Sequence, residues 1–243
     1  MKKLLLAAAL ALTASSAALA ETDGGRRQCT IPAFALSGLQ AQLATVVALA
    51  DANGGIFRPN RMWSAIVDRK GTLCSVTVTG DAWPGSRAIA IAKAETANDF
   101  SNSGLALSTA NLYGPTQPGG SLYGLNNSNP FNPEYNLITT GAGPGTGLGH
   151  NPGGVVTFGG GVALYVGGNV IGGLGVSGDS SCADHAIAFR MRKLARLDGI
   201  PGGPAPDSTD NIIYAPASTA PTGFQQPHCF PSDLSPAAVE AIP

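Results

Sequence analysis

The chain holds three histidines, His150, His185 and His228. Imidazole is the side chain best suited to hold haem iron or a divalent metal near neutral pH. None stands four residues from another, and no carboxylate motif accompanies them. His185 shares a helix side with Cys182 and Phe189. It reads either as a partly buried residue at a helix start or as an axial ligand to haem iron. His150 lies in a glycine loop and His228 beside Cys229, so both read as solvent-facing loop residues. Lys93 reads as a snorkelling surface lysine or, at a pocket rim, as a cation for a carboxylate, and Arg87 could serve similarly. Trp83 offers a flat cover for an apolar ligand, or a staple for the start of the helix behind it.

Two motifs suggest other chemistry and fail on context. Gly173–Gly178, GLGVSG, is a formal GxGxxG match between a strand and a helix, and Asp198 stands twenty residues further on. The dinucleotide fingerprint needs a second parallel strand by that point. Asp198 instead leads into DGIPGGP, so no NAD is expected. Ser177 lies in GVSGD, where Asp179 replaces the last glycine of a nucleophile elbow. Asp184 and His185 are helix neighbours and diverge by about 100°, which does not hold a triad with Ser177.

The elements that position these residues follow from apolar spacing. Ile31–Asn53 reads as a helix, with Leu36, Leu39, Leu43, Val46 and Val47 recurring every three to four residues. Met62–Asp68 reads as an internal strand, and Leu73–Thr79 as a half-buried one with Cys74, Val76 and Val78 on its inner face. Pro84–Ser101 reads as a second helix and Leu105–Tyr113 as a short third. Gly114–Gly154, dense in Gly, Pro and Asn, reads as a long surface loop in which Leu137–Thr140 pairs briefly. Val155–Phe158, Val162–Val166 and Val170–Val176 read as three successive strands, the last two joined by a Gly-Gly-Asn turn, and Ser181–Leu197 as the final long helix. Pro201–Pro243 is a Pro-rich extension expected to lie over the domain of residues 21–200. The order implies an α+β layer arrangement.

Residues 1–20 carry Lys2-Lys3, an apolar run and Ala18-Leu19-Ala20, the pattern of a bacterial signal peptide. That run is too short and too rich in Ala and Ser for a membrane span. A periplasmic or secreted destination is expected. Charged residues make up 12% of the chain, with 14 basic and 15 acidic. With no basic patch, nucleic acid and anionic membranes are unsuited partners. The cysteines are Cys29, Cys74, Cys182 and Cys229. An even count in an exported chain favours disulfides, and the absence of any CxxC pair argues against zinc. Four cysteines allow three connectivities. Cys29–Cys74 with Cys182–Cys229 is the expected pair of bridges, since the segment before the first helix can cross the inner face at Cys74 and the tail can return to Cys182.

The motifs DRKGTLCSVTVTG, AIAKAETA, GGVALY, GNVIGGLGVSG and CADHAIAFRMRKL, in this order between about Met62 and Asp198, resemble the GlcG/HbpS-like family. Its related domains include the PduO C-terminal domain. The resemblance implies a profilin-like α/β/α fold, with a five-stranded antiparallel sheet of order 2-1-5-4-3 between helices. It also implies small-ligand and haem binding, and oligomers among relatives. Gly114–Gly154 and the Pro-rich tail depart from the small cytosolic members. The expected function is an exported small-molecule-binding protein, haem its suggested ligand, without catalytic machinery. An enzyme or accessory factor in haem or corrinoid turnover and an assembly protein are the alternatives. The expected ligand site is the surface near the starts of the second and last long helices. Gly173 and Gly175 leave room there, helix N–H groups accept an anion against the opposing charges of Asp179 and Asp184, Lys93 and Arg87 supply charge, and Trp83 and His185 supply flat contact surfaces.

Overall fold

The computed structural model describes residues 27–136 and 147–242, so the leader and Leu137–Thr140 lie outside the described residues. Four strands form one antiparallel sheet: β1 Trp63–Asp68, β2 Leu73–Val78, β3 Gly161–Val166 and β4 Asn169–Ser177, in spatial order β2-β1-β4-β3. Trp63 faces Val78 on one side and Ser177 on the other. As an internal strand, β1 is buried along its whole length. Gly167 and Gly168 both take positive φ, 56° and 78°, between β3 and β4. That is the two-residue turn whose twist suits a hairpin and which side chains resist.

Alternation along the strands builds two cores. Ile66, Leu164, Leu174 and Val176 face one way and pack on α1, Ala33–Val47, and α5, Ser181–Leu194. Trp63, Ala65 and Val67 face the other way, onto α2, Ser86–Asp99. The architecture is therefore α+β, with helices on both faces of an antiparallel sheet. Ser180 caps α5 by accepting the Ala183 amide on its hydroxyl, and Arg192 and Lys193 sit in its last turn.

Among the described residues the sheet has four strands where five were expected. Val155–Phe158 makes no ladder, because its polar groups bind elsewhere. The Val156 amide donates to Thr96 Oγ1 at 2.9 Å, and the Thr157 hydroxyl pairs with that of Thr116. Other backbone occupies the outer edge of β3: Thr109 N donates to Gly161 O, and Tyr165 N to Leu197 O. The same contacts explain why Leu105–Tyr113 is not helical. Its amides at Ala106 and Thr109 donate to Gly202 and Gly161 rather than along a helix. Helix α3, Tyr113–Thr116, starts where that segment was expected to end.

Residues 114–154, expected as a long, elaborated surface loop, carry a 3-10 turn at Leu125–Asn127 and helix α4, Pro133–Asn136. Gly149 and His150 bond back to Leu73. The tail crosses α5 and forms helix α6, Pro236–Glu240. Two disulfides join Cys29 to Cys74 and Cys182 to Cys229, with Cα–Cα distances of 5.4 and 6.0 Å. No helix among the described residues is long and apolar enough to cross a membrane.

Candidate functional site

The residues singled out from sequence divide into a buried group and an exposed one. Gly173 and Gly175 leave no room for a ligand. Their missing side chains let α2 lie against the sheet, and a Cβ on either would strike the carbonyl oxygen of Ala94 or Ala90. Lys93 projects from the same helix and is fully buried, not at a rim. Its Nζ donates to Asp184 Oδ2 at 2.7 Å and to Val176 O at 3.1 Å, and lies 4.9 Å from the Phe158 ring centre. Burial disfavours both charges of this pair. It lowers the Lys93 pKa and pushes the Asp184 carboxyl up to about 6, although Lys93 partly offsets the latter. Arg87 is also fully buried on α2.

His185 is fully buried as well. Its Nε2 accepts the Ile212 amide at 3.0 Å and lies 3.2 Å from Asn211 Oδ1. Burial pulls the pKa down to about 4. The Nε2 of the residue read as a possible iron ligand is engaged by the tail, which covers the start of α5. Arg192 and Asp210 anchor that cover: Nη1 meets Oδ2 at 2.7 Å, with both residues buried. His150 stacks on Tyr135 at 4.0 Å, and His228 on Tyr214 at 3.8 Å. The two Cys-Asp clusters close enough to suggest a metal are Cys29–Asp68–Cys74 and Cys182–Cys229–Asp233. Each contains a disulfide and offers no thiolate.

Trp83 alone of the expected ligand residues is exposed, at 54%. It stands over a small cleft of about 240 Å³ with Phe57, Arg61, Asp81, Pro84 and Gly178. Phe57 meets Trp83 edge to face at 5.5 Å, and the Arg61 guanidinium lies 5.4 Å from the Phe57 ring centre. The buried Trp63 fixes the opening by donating its indole N–H to Trp83 O at 3.0 Å. Asp179 fixes the other wall. Its carboxylate accepts the amides of Ile56 and Phe57 and the side chain of Asn60, and its own amide donates to Asp184 Oδ1. The sequence reading missed Phe57 and Arg61. Their signal was an aromatic and a cation in the irregular stretch after Asn53-Gly54-Gly55.

The family model described as haem degrading protein HbpS-like matches residues 40–192, well over half the chain. The chain belongs to this family. The matched part of this HbpS-like protein holds the sheet, α2, almost all of α5 and the Trp83 cleft. It leaves out Asp210–Ile212, which cover His185. Three solved structures are similar. PduOC in complex with heme shares 30% identity over 68% of this chain and 94% of its own, with a TM-score of 0.48. Protein ORFY of Klebsiella pneumoniae shares 22%, over 68% and 90%, with a TM-score of 0.49. A double mutant of HbpS from Streptomyces reticuli shares 19%, over 78% and 98%, with a TM-score of 0.39. No curated protein matches.

Proposed function

We propose that this HbpS-like protein is exported and binds a flat, largely apolar, carboxylate-bearing small molecule, haem first among them, in the Trp83 cleft. The single observation carrying this reading is the exposed Trp83, with the half-buried Phe57 edge-on to it and the Arg61 guanidinium beside Phe57. The aromatic faces suit the edge of a macrocycle, and the arginine suits a propionate. Asp81 on the cleft wall opposes the anion, so the balance of charge is local. The family assignment supports haem as the ligand class, as does the heme in the PduOC complex. The leader-like first twenty residues and the two disulfides support export.

Binding without catalysis is proposed because Lys93, Asp184, Arg192 and Asp210 are held in buried pairs and His185 by the tail. Haemin titrated into the purified protein should give a saturable Soret shift of one haemin per chain. Trp83→Ala and Arg61→Ala should each weaken it about tenfold, a loss of about 1.4 kcal/mol. His185→Gln should leave the band position unchanged. Unaltered affinity in both cleft variants would overturn the site. Loss of haem absorbance on adding reductant would overturn the absence of catalysis.

A further inference from the structure

A second cleft lies at the far end of the β1–β2 hairpin. Trp63 and Val78 pair at the Trp83 end, and the turn after Asp68 closes the other. A six-residue strand sets the two ends about 20 Å apart. The far cleft has a volume of about 810 Å³ and is lined by Arg27, Gln28, Cys29, Thr30, Lys70 and Thr72.

Three features of its lining point to one kind of ligand. Arg27 and Lys70 are exposed, and neither joins an ion pair with any described residue. Thr72 is fully buried, yet its hydroxyl Oγ1 has no hydrogen-bond partner among the described residues. Buried hydroxyls without partners are rare, and one in a cleft wall is a donor awaiting an acceptor. The buried carboxylate that holds this lining from behind is already satisfied. Asp68 Oδ2 accepts the amide and hydroxyl of Thr30, and Oδ1 accepts the amides of Lys70 and Thr72. Those bonds outweigh its burial and keep its pKa below the usual value. Asp68 therefore stays charged and subtracts from the field, leaving two cations against one carboxylate saturated with donors.

The cleft is also a fixed structure. The Cys29–Cys74 bridge ties the segment bearing Arg27 to β2, and the Arg27 amide donates to Gly149 O at 2.6 Å. We propose that this cleft binds a small molecule through an oxyanion, a phosphate or carboxylate group held between Arg27 and Lys70 and receiving the Thr72 hydroxyl. Guanidinium and ammonium groups with a hydroxyl donor suit either oxyanion, since both accept charge-assisted hydrogen bonds.

Amide NMR spectra of the purified protein, titrated at low salt with inorganic phosphate and separately with succinate, test this. A saturable shift confined to Gln28, Thr30, Lys70 and Thr72 is expected in at least one arm, and the arm that responds names the oxyanion. Arg27→Ala and Lys70→Ala should each weaken it about tenfold, and added sodium chloride should weaken it further. Absence of a saturable shift in both arms, or unchanged affinity in Lys70→Ala, would overturn the proposal. Trp83 should not respond, so the result is independent of whether haemin binds at the other end.

Discussion

Gly175 of β4 lies directly under Ala90 of α2, so close that a Cβ on the glycine would collide with the Ala90 carbonyl oxygen. The clash is with backbone, which cannot swing aside as a side chain would. Gly175→Ala should therefore destabilise the protein by about 2–3 kcal/mol. Gly38, within α1, has open space where its Cβ would stand. Gly38→Ala should act in the opposite sense, stabilising by about 0.5–1 kcal/mol through helix propensity. Urea unfolding of both variants checks the contrast. Equal effects would show that α2 does not rest on the glycine stripe.

The sheet and its helices were legible because periodicity records burial. β1 read as internal from its apolar residues on both faces, and α1 showed its buried side in its leucines. β2 did not keep the expected inner face: at this edge of the sheet Leu73 and Val76 are buried, while Cys74 is half-buried and Val78 exposed. Val155–Phe158 read as a strand from its apolar residues, but its hydrogen bonds go to Thr96 and Thr116. Nothing local records that choice. The GLGVSG glycines announced a close approach without saying whether a helix or a ligand makes it. Lys93 was misplaced, and the depth of His185 at its helix start missed, for a related reason. Their partners, Asp184 and Ile212, come from other elements, and burial of a polar side chain depends on such partners. Both disulfides pair as expected, a choice among three connectivities that the cysteine positions alone leave open.

Arg192 and Asp210 clasp the tail to α5 with both side chains buried. Removing one partner strands the other charge in the interior. Asp210→Ala should cost about 3–5 kcal/mol. The double variant Arg192→Met with Asp210→Leu should recover a large part of that loss, because no charge is left unpaired. Denaturant midpoints for the single and double variants measure the difference. A single variant as stable as the wild type would mean that the tail is not held by this pair.

Two buried groups should shape the pH dependence of stability from opposite ends. His185 has its pKa lowered to about 4 by burial. The unfolded chain therefore takes up its proton first as pH falls below about 6.5, and the stability this group contributes is lost on the way down to pH 4. Glu95 has its pKa raised to about 9, chiefly by burial and next by the charge of Asp99, against the Gly153 amide. Its contribution is fully present below the unfolded value and is lost as pH rises through 9. His185→Gln keeps an acceptor for the Ile212 amide and should flatten the acid limb. Glu95→Gln should exceed the wild type in stability at pH 8 by at least about 1 kcal/mol, a margin that shrinks towards pH 4.5. Thermal melts across that range would show parallel curves for wild type and variants if neither group is linked to folding.

The insertion between α3 and β3 should exchange its amide hydrogens in two classes. Its later end is pinned to β2: Leu73 N donates to His150 O at 2.8 Å, and Gly149 N donates to Leu73 O at 2.9 Å. His150 stacks on Tyr135 of α4, and Asn132 N donates to Pro152 O at 2.8 Å, which ties the start of α4 to the same edge. The stretch Gly119–Gly124 has exposed side chains and only local turn bonds, such as Tyr123 N to Gly120 O. Local opening there breaks no contact with the sheet, whereas freeing Gly149 must also release the Leu73 amide at the start of a strand. Hydrogen exchange should thus be slow at Leu73, Asn132 and Gly149 and fast from Gly119 to Gly124. Gly149 exchanging as fast as Gly124 would show that the later end is not part of the sheet's cooperative unit. Slow exchange of both would place the whole insertion within that unit.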